Sequence, residues 1–125
     1  MHTETETPVF VVAHLGDVKM GPAITEYLER IDATLAPHGG RFLVHGGRTD
    51  VLEGSWTGDL IILQFPTRSA TTAWYRSPAY QEILPLRTRN AYGEVIIIDT
   101  VPADHRATDI LECPVVPPPE WTVEG

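Results

Sequence analysis

The stretch LIILQFPTRSATTAWYRSPAYQEILPLR, residues 60–87, decides the architecture. Leu60 to Phe65 is a short apolar run rich in β-branched and aromatic side chains, and Pro66 stops it, so it reads as a strand. Thr67 or Ser69 caps the helix that follows, which carries Ala70, Ala73 and Trp74 on one side. Ser77-Pro78 restarts that helix as a new cap and first-turn pair, and Tyr80, Ile83, Leu84 and Arg87 continue at helical spacing. Val95 to Ile98 is then a strand that is apolar on both faces. Strand, helix and strand follow one another, which is one crossover unit.

The first half of the chain repeats the plan. Val9 to Leu15 is a β-branched run between Pro8 and Gly16-Asp17, the first strand. Gly21-Pro22 opens a helix whose Ile24, Tyr27, Leu28, Ile31 and Leu35 form one stripe, and Pro37 and Gly39-Gly40 end it. Arg41 to His45 is the second strand, and Val51-Leu52-Glu53 is expected to extend it beyond a break or bulge at Gly46-Gly47. The order β-α-β-β-α-β is that of an α+β, ferredoxin-like fold with a four-stranded antiparallel sheet and both crossover helices on one face. Nothing in residues 9–99 is left to cover the other face, so a homodimer through that sheet face is expected.

Composition narrows the functions. The chain has 125 residues and a net charge of -8, from 17 acidic against 9 basic side chains. A polyanion is bound from a basic face, so nucleic acid is not the expected partner, nor is an anionic membrane surface. No apolar run approaches the ~20 residues needed to cross a bilayer, and the polar, acidic residues 1–8 are unlike a signal peptide. The single Cys113 makes no internal disulfide, which points to a reducing, cytoplasmic setting. Residues 1–8 are expected to be a disordered N-terminus and 9–100 the folded domain. Residues 101–125 hold five of the eleven prolines and a net charge of -4, and are expected to form a C-terminal arm anchored by Ile110, Leu111, Val115, Val116 and Trp121, against the plainer reading of a solvated tail.

Four ordered blocks carry a resemblance: LAPHGGRFLVHGGR over 35–48, VLEGSW over 51–56, LQFP over 63–66, and AWYRSPAYQ over 73–81 with PLR over 85–87. Together they resemble the DUF1330 family, small bacterial proteins of the dimeric α+β barrel superfamily, over roughly residues 9–99. The resemblance implies a ferredoxin-like fold and a sheet-to-sheet dimer. It implies no reaction, because the wider superfamily includes cofactor-independent monooxygenases, polyketide cyclases, lactone isomerases and haem enzymes.

Alternation along the strands sorts the chemistry-bearing residues. Ile61, Leu63 and Phe65 are expected to face the helices, which leaves Gln64 on the opposite face. The simplest register puts His14, Arg41 and His45 there too. Polar groups on a buried apolar face suggest a small-molecule chamber. His14 is the first choice to move a proton, against the reading of a core imidazole bonded to a neighbouring carbonyl. Arg41, Gln64 and Arg87 are candidates to hold a developing oxyanion. His45, Arg48, Trp74 and Tyr80 are candidates to bind substrate, although arginines pair on surfaces and aromatics fill cores at least as often. His14, His45 and Asp99 are a minor alternative as metal ligands; otherwise no metal or other cofactor is implied. The expected function is a small cofactor-independent enzyme acting on a hydrophobic organic molecule by proton transfer, an isomerisation, cyclisation or elimination in a biosynthetic pathway. The alternative is a non-catalytic small-molecule-binding or accessory protein on the same dimeric fold.

Overall fold

A computed structural model describes residues 7–112. Its elements are β1 (Val9–Gly16), α1 (Pro22–Leu35), β2 (Arg41–His45), β3 (Asp59–Phe65), α2 (Arg68–Arg76), α3 (Pro78–Thr88), β4 (Tyr92–Asp99) and a short α4 (Asp109–Glu112). A 3-10 turn over Ala36–His38 leads from α1 into β2. The four strands form one antiparallel sheet in the order β2-β3-β1-β4, the ferredoxin-like order. The caps fall where the sequence puts them: Thr67 accepts from the Ala70 amide and Ser77 from the Tyr80 amide, which separates α2 from α3.

The core lies between the helices and one face of the sheet. Val9 and Val11 of β1 stand opposite Phe65 and Leu63 of β3, and all four are buried. Tyr27, Ile31 and Leu35 of α1, Trp74 of α2, and Tyr80 and Ile83 of α3 close over them. Phe65 and Ile83 are completely shielded. Each such side chain contributes roughly 2–3 kcal/mol of apolar burial. The turn into β2 has to pass very close to this core: a Cβ on Gly40 would lie 2.6 Å from the Phe65 ring and 2.9 Å from Leu35. Only glycine leaves room there.

The opposite face carries Phe10, Val12 and His14 of β1, Leu60, Ile62 and Gln64 of β3, and Glu94, Ile96 and Ile98 of β4. No helix of the described residues covers it, and Ile96 and Ile98 are 52% and 47% exposed.

Three expectations need correction. Val51-Leu52-Glu53 is not a strand; it belongs to a wholly exposed loop from Gly47 to Gly58, in which Gly47, Gly54 and Gly58 have positive φ. Backbone of that kind does not hold ladder geometry. His45 does not share a face with Arg41. Phe42 pairs with Leu63 but Val44 pairs with Ile62, so Leu43 is an extra residue in β2 and His45 comes round opposite Ile61, on the helix side. Third, His14, His45 and Asp99 do not converge. Asp99 stands opposite Val9 and His14 opposite Glu94, which separates them by about 17 Å along the strands at ~3.3 Å per residue.

Thr7 and Pro8, within the expected disordered segment, are tied to the end of β4: Thr7 donates to the Thr100 carbonyl and Thr100 to that of Pro8. In the arm, Ile110 and Leu111 are 69% and 80% exposed. Residues 1–6, and Cys113, Val115, Val116 and Trp121, lie outside the described residues.

Candidate functional site

Two places gather the chemistry-bearing side chains, one on each face of the sheet. On the open face, the last residue of the 47–58 loop is pressed against β1: a Cβ on Gly58 would run into the Leu15 carbonyl and stand 3.0 Å from His14 Nε2. Trp56 lies over the His14 ring, with centroids 4.8 Å apart. His14 Nε2 is 2.6 Å from the Thr57 carbonyl. A carbonyl only accepts, so Nε2 is the protonated nitrogen. Nδ1 faces Glu94 at 3.8 Å. His14 is therefore a strap that pins the loop to the sheet. Arg41 and Gln64 are cross-strand neighbours on the same face. Gln64 stands opposite Phe10 and His14 opposite Leu60, so the two are about 13 Å apart along the strand. A single copy of the chain does not bring His14 to Arg41 and Gln64. Arg48 is exposed in the loop and paired with Asp50 at 3.1 Å.

On the helix side a cavity of about 290 Å³ lies between the sheet, α1 and α3. Its walls are apolar: Val11, Ile61 and Leu63 from the sheet, Ile24 and Ile31 from α1. Its lining residues grade from exposed to buried, and this gradient sets its direction. Met20, Leu28, His45 and Asp59 are exposed and mark the mouth, while Tyr27, Trp74, Tyr80 and Arg87 are 8%, 2%, 2% and 9% exposed and form the inner end. Four of the expected site residues thus meet here, His45, Trp74, Tyr80 and Arg87. The first arrives because of the β2 bulge, and its ring stacks on Phe42 with centroids 4.4 Å apart.

The inner end is a small polar cluster inside an apolar shell. The hydroxyls of Tyr27 and Tyr80 are 2.7 Å apart. Burial, reinforced by Tyr80, pushes the Tyr27 phenol far above the ordinary tyrosine range, so it stays a neutral hydroxyl. The Arg87 guanidinium carbon is 5.8 Å from the Tyr27 ring centroid. Burial opposes its charge, the phenol oxygens of Tyr80 and Tyr27 favour it, and the net direction is upward. The Trp74 indole N–H donates to Thr34 at 3.0 Å, which fixes the ring against Tyr80, 4.2 Å away between centroids. Tyr27 is the member that sequence reasoning places only in the core stripe. Its signal was the phenol itself, because a buried tyrosine seeks a partner for its hydroxyl where phenylalanine would not.

Among the described residues no three His, Cys, Asp or Glu side chains are grouped to hold a metal ion, and no helix is long and apolar enough to cross a membrane.

Comparison with solved structures finds the same fold at low identity. A protein of unknown function from Rhodopseudomonas palustris is 20% identical, with a TM-score of 0.61 over 77% of this chain and 84% of that one. A dimeric ferredoxin-like protein of unknown function from Jannaschia sp. CCS1 is 16% identical, with a TM-score of 0.53 over 74% of this chain and 99% of that one. SnoaB, a cofactor-independent oxygenase from Streptomyces nogalater, is 14% identical, with a TM-score of 0.52 over 80% of this chain and 99% of that one. A search of curated proteins found no match. The family model described as Domain of unknown function (DUF1330) matches residues 8–101, and the chain belongs to that family.

Proposed function

We propose that this chain is a small cofactor-independent enzyme that binds a hydrophobic organic molecule in the helix-side cavity and moves a proton on it, in an isomerisation, cyclisation or elimination. The observation that carries this reading is the cavity's polarity gradient: apolar walls, a buried cluster of Tyr27, Tyr80 and Arg87 at the inner end, and His45 at the mouth. Imidazole is the side chain suited to proton transfer near neutrality. Preset donors at the inner end would stabilise negative charge as it develops on an oxygen. The fold likeness to SnoaB adds that a scaffold of this shape houses cofactor-independent chemistry in another protein.

A second copy completes the molecule in this reading. The open face presents Val12, Leu60, Ile62, Ile96 and Ile98, and two such faces packed together would remove them from water. The Jannaschia protein, which is dimeric, supports the pairing of two copies. The bare Ile110 and Leu111 of the arm would then lie over the partner. The dimer would work in the cytoplasm.

The alternative of a non-catalytic binding protein draws on one observation, that His14 is already bonded to the Thr57 carbonyl. Proton exchange separates the two readings. A panel of small hydrophobic ketones is incubated with the protein in D2O, and loss of the ligand C–H signal beside the carbonyl is followed by NMR. The enzyme reading expects accelerated exchange that His45→Gln abolishes while ligand affinity is kept. Binding without exchange would leave a carrier.

A further inference from the structure

Arg87 poses a problem that the fold does not solve. It is 9% exposed, on the last turn of α3, and none of the ion pairs among the described residues involves it. A buried cation is normally paired, because removing it from water without a counter-ion is expensive. Helix capping does not explain it. The Pro85 carbonyl accepts from the Arg89 amide, the Leu86 carbonyl from the Asn90 side chain, and the Arg87 carbonyl from the Asn90 amide. Between Tyr27 and Tyr80 one hydroxyl donates to the other, which leaves the acceptor's own hydrogen to be placed. The phenol oxygens of Tyr80 and Tyr27 take up part of the guanidinium's hydrogen bonding and the Tyr27 ring lies beside it, but these neutral groups supply no counter-charge, so the inner end of the cavity keeps an unneutralised cation and more N–H and O–H donors than acceptors. The nearest carboxylate in the cavity lining, Asp59, is at the exposed mouth.

We propose that the cavity takes a small organic monocarboxylate, its oxygens held by Arg87 and the Tyr27–Tyr80 hydroxyl pair and its apolar body lying along Ile24, Ile31 and Leu63 towards the mouth. This rests on the reading of the cavity as a ligand site and adds the charge and class of the ligand. One guanidinium neutralises one negative charge and matches the two oxygens of a carboxylate. A phosphate monoester would keep most of its second charge in an apolar hole with no other cation. At about 290 Å³, near the low end of the ~300–1,000 Å³ of small-molecule sites, the space suits a single ring or a short chain.

The test uses matched pairs that differ only in charge: phenylacetate against phenylacetamide, and hexanoate against hexanamide, titrated calorimetrically into the full chain at neutral pH. Each acid is expected to bind at least tenfold more tightly than its amide, with the difference lost in Arg87→Met and partly kept in Arg87→Lys. Heat stability supplies a second readout. A charge kept for a ligand strains the empty protein, so ligand-free Arg87→Met is expected to melt no lower than the natural sequence. Equal binding of acid and amide would overturn the monocarboxylate while leaving a hydrophobic site. Binding of neither would remove the cavity reading and the monocarboxylate together. An Arg87→Met protein that melts well below the natural one, or does not fold, would make Arg87 part of the scaffold and overturn the proposal.

Discussion

The two faces of the sheet are built from the same strands and are nearly alike in apolar content, yet they have different fates. On the helix side Val9, Val11, Leu63 and Phe65 are at most 4% exposed, because the chain supplies its own cover from α1, α2 and α3. On the other side Ile96 and Ile98, equally apolar, remain about half exposed. Hydrophobicity marks a residue as able to be buried; whether it is buried depends on what the rest of the chain can lay over it. The polar residues differ in the same way. On the open face His14 and the Arg41–Gln64 pair sit at opposite ends of the strands, where each finds a local partner or water. On the closed face Tyr27, Tyr80 and Arg87 are gathered at one point, where a ligand could reach them through the cavity.

The sharpest way to break this contrast is to truncate one residue on each face. Phe65→Ala should cost about 3–5 kcal/mol, because Phe65 is wholly buried and its removal leaves a cavity. Ile96→Ala should cost no more than about 1 kcal/mol in dilute solution, where half of the side chain already meets water. Urea unfolding at low protein concentration measures both, and equal costs would show that the faces are not distinct. If the open face is a dimer interface, the cost of Ile96→Ala grows with protein concentration, since subunit association adds to stability.

A charge placed on the open face tests its cover directly. Ile62 is central in β3, beside Val12 on one side and Val44 on the other. Ile62→Lys should weaken self-association by at least 100-fold and leave the helix-side core intact, as read by light scattering together with circular dichroism. Undiminished association would move the interface elsewhere.

Most of this contrast was legible in the sequence. The 3.6-residue stripes of the helices and the apolar runs bounded by proline and glycine gave both crossover units, and the caps at Thr67 and Ser77 are local enough to read from neighbouring residues. The uncovered face followed from counting elements. What escaped was a single inserted residue. The glycine pair after His45 was the natural place for a bulge, but the extra residue is Leu43, two positions before His45. One such residue turns every later side chain to the other face. It moved His45 from the open face to the cavity, and with it the centre of the candidate site. The Tyr27–Tyr80 contact was hidden for a different reason. It joins residues 53 apart in sequence through the packing of α1 on α3, which no local pattern encodes.

Alkaline unfolding probes the closed face by the chemistry of that contact. The Tyr27 phenol holds its proton in the folded state far above its ordinary value of 10.0, and an unfolded chain releases it near that value. Below pH 10 both states are protonated and this group gives no pH dependence. Above it the unfolded state is favoured, by up to about 1.4 kcal/mol per pH unit. Tyr27→Phe should flatten that part of the decline in a series of denaturant midpoints between pH 9 and 11. An unchanged slope would mean that the phenol reaches water.

The smallest expected effect falls on His14, the residue that the sequence favoured most for catalysis. Its hydrogen bond to the Thr57 carbonyl joins groups that are partly exposed, with 42% of the imidazole side chain still meeting solvent. A bond of that kind contributes at most about 1 kcal/mol. His14→Gln should therefore loosen the 47–58 loop, seen as faster amide hydrogen exchange over those residues, with only a slight fall in melting temperature. Ligand proton exchange should be untouched, whereas His45→Gln abolishes it. The comparison is demanding because both substitutions remove one imidazole and keep a polar side chain; what differs is the face on which the ring stands. A His14→Gln protein that kept its loop but lost exchange would return the chemistry to the open face and to the chamber between two subunits.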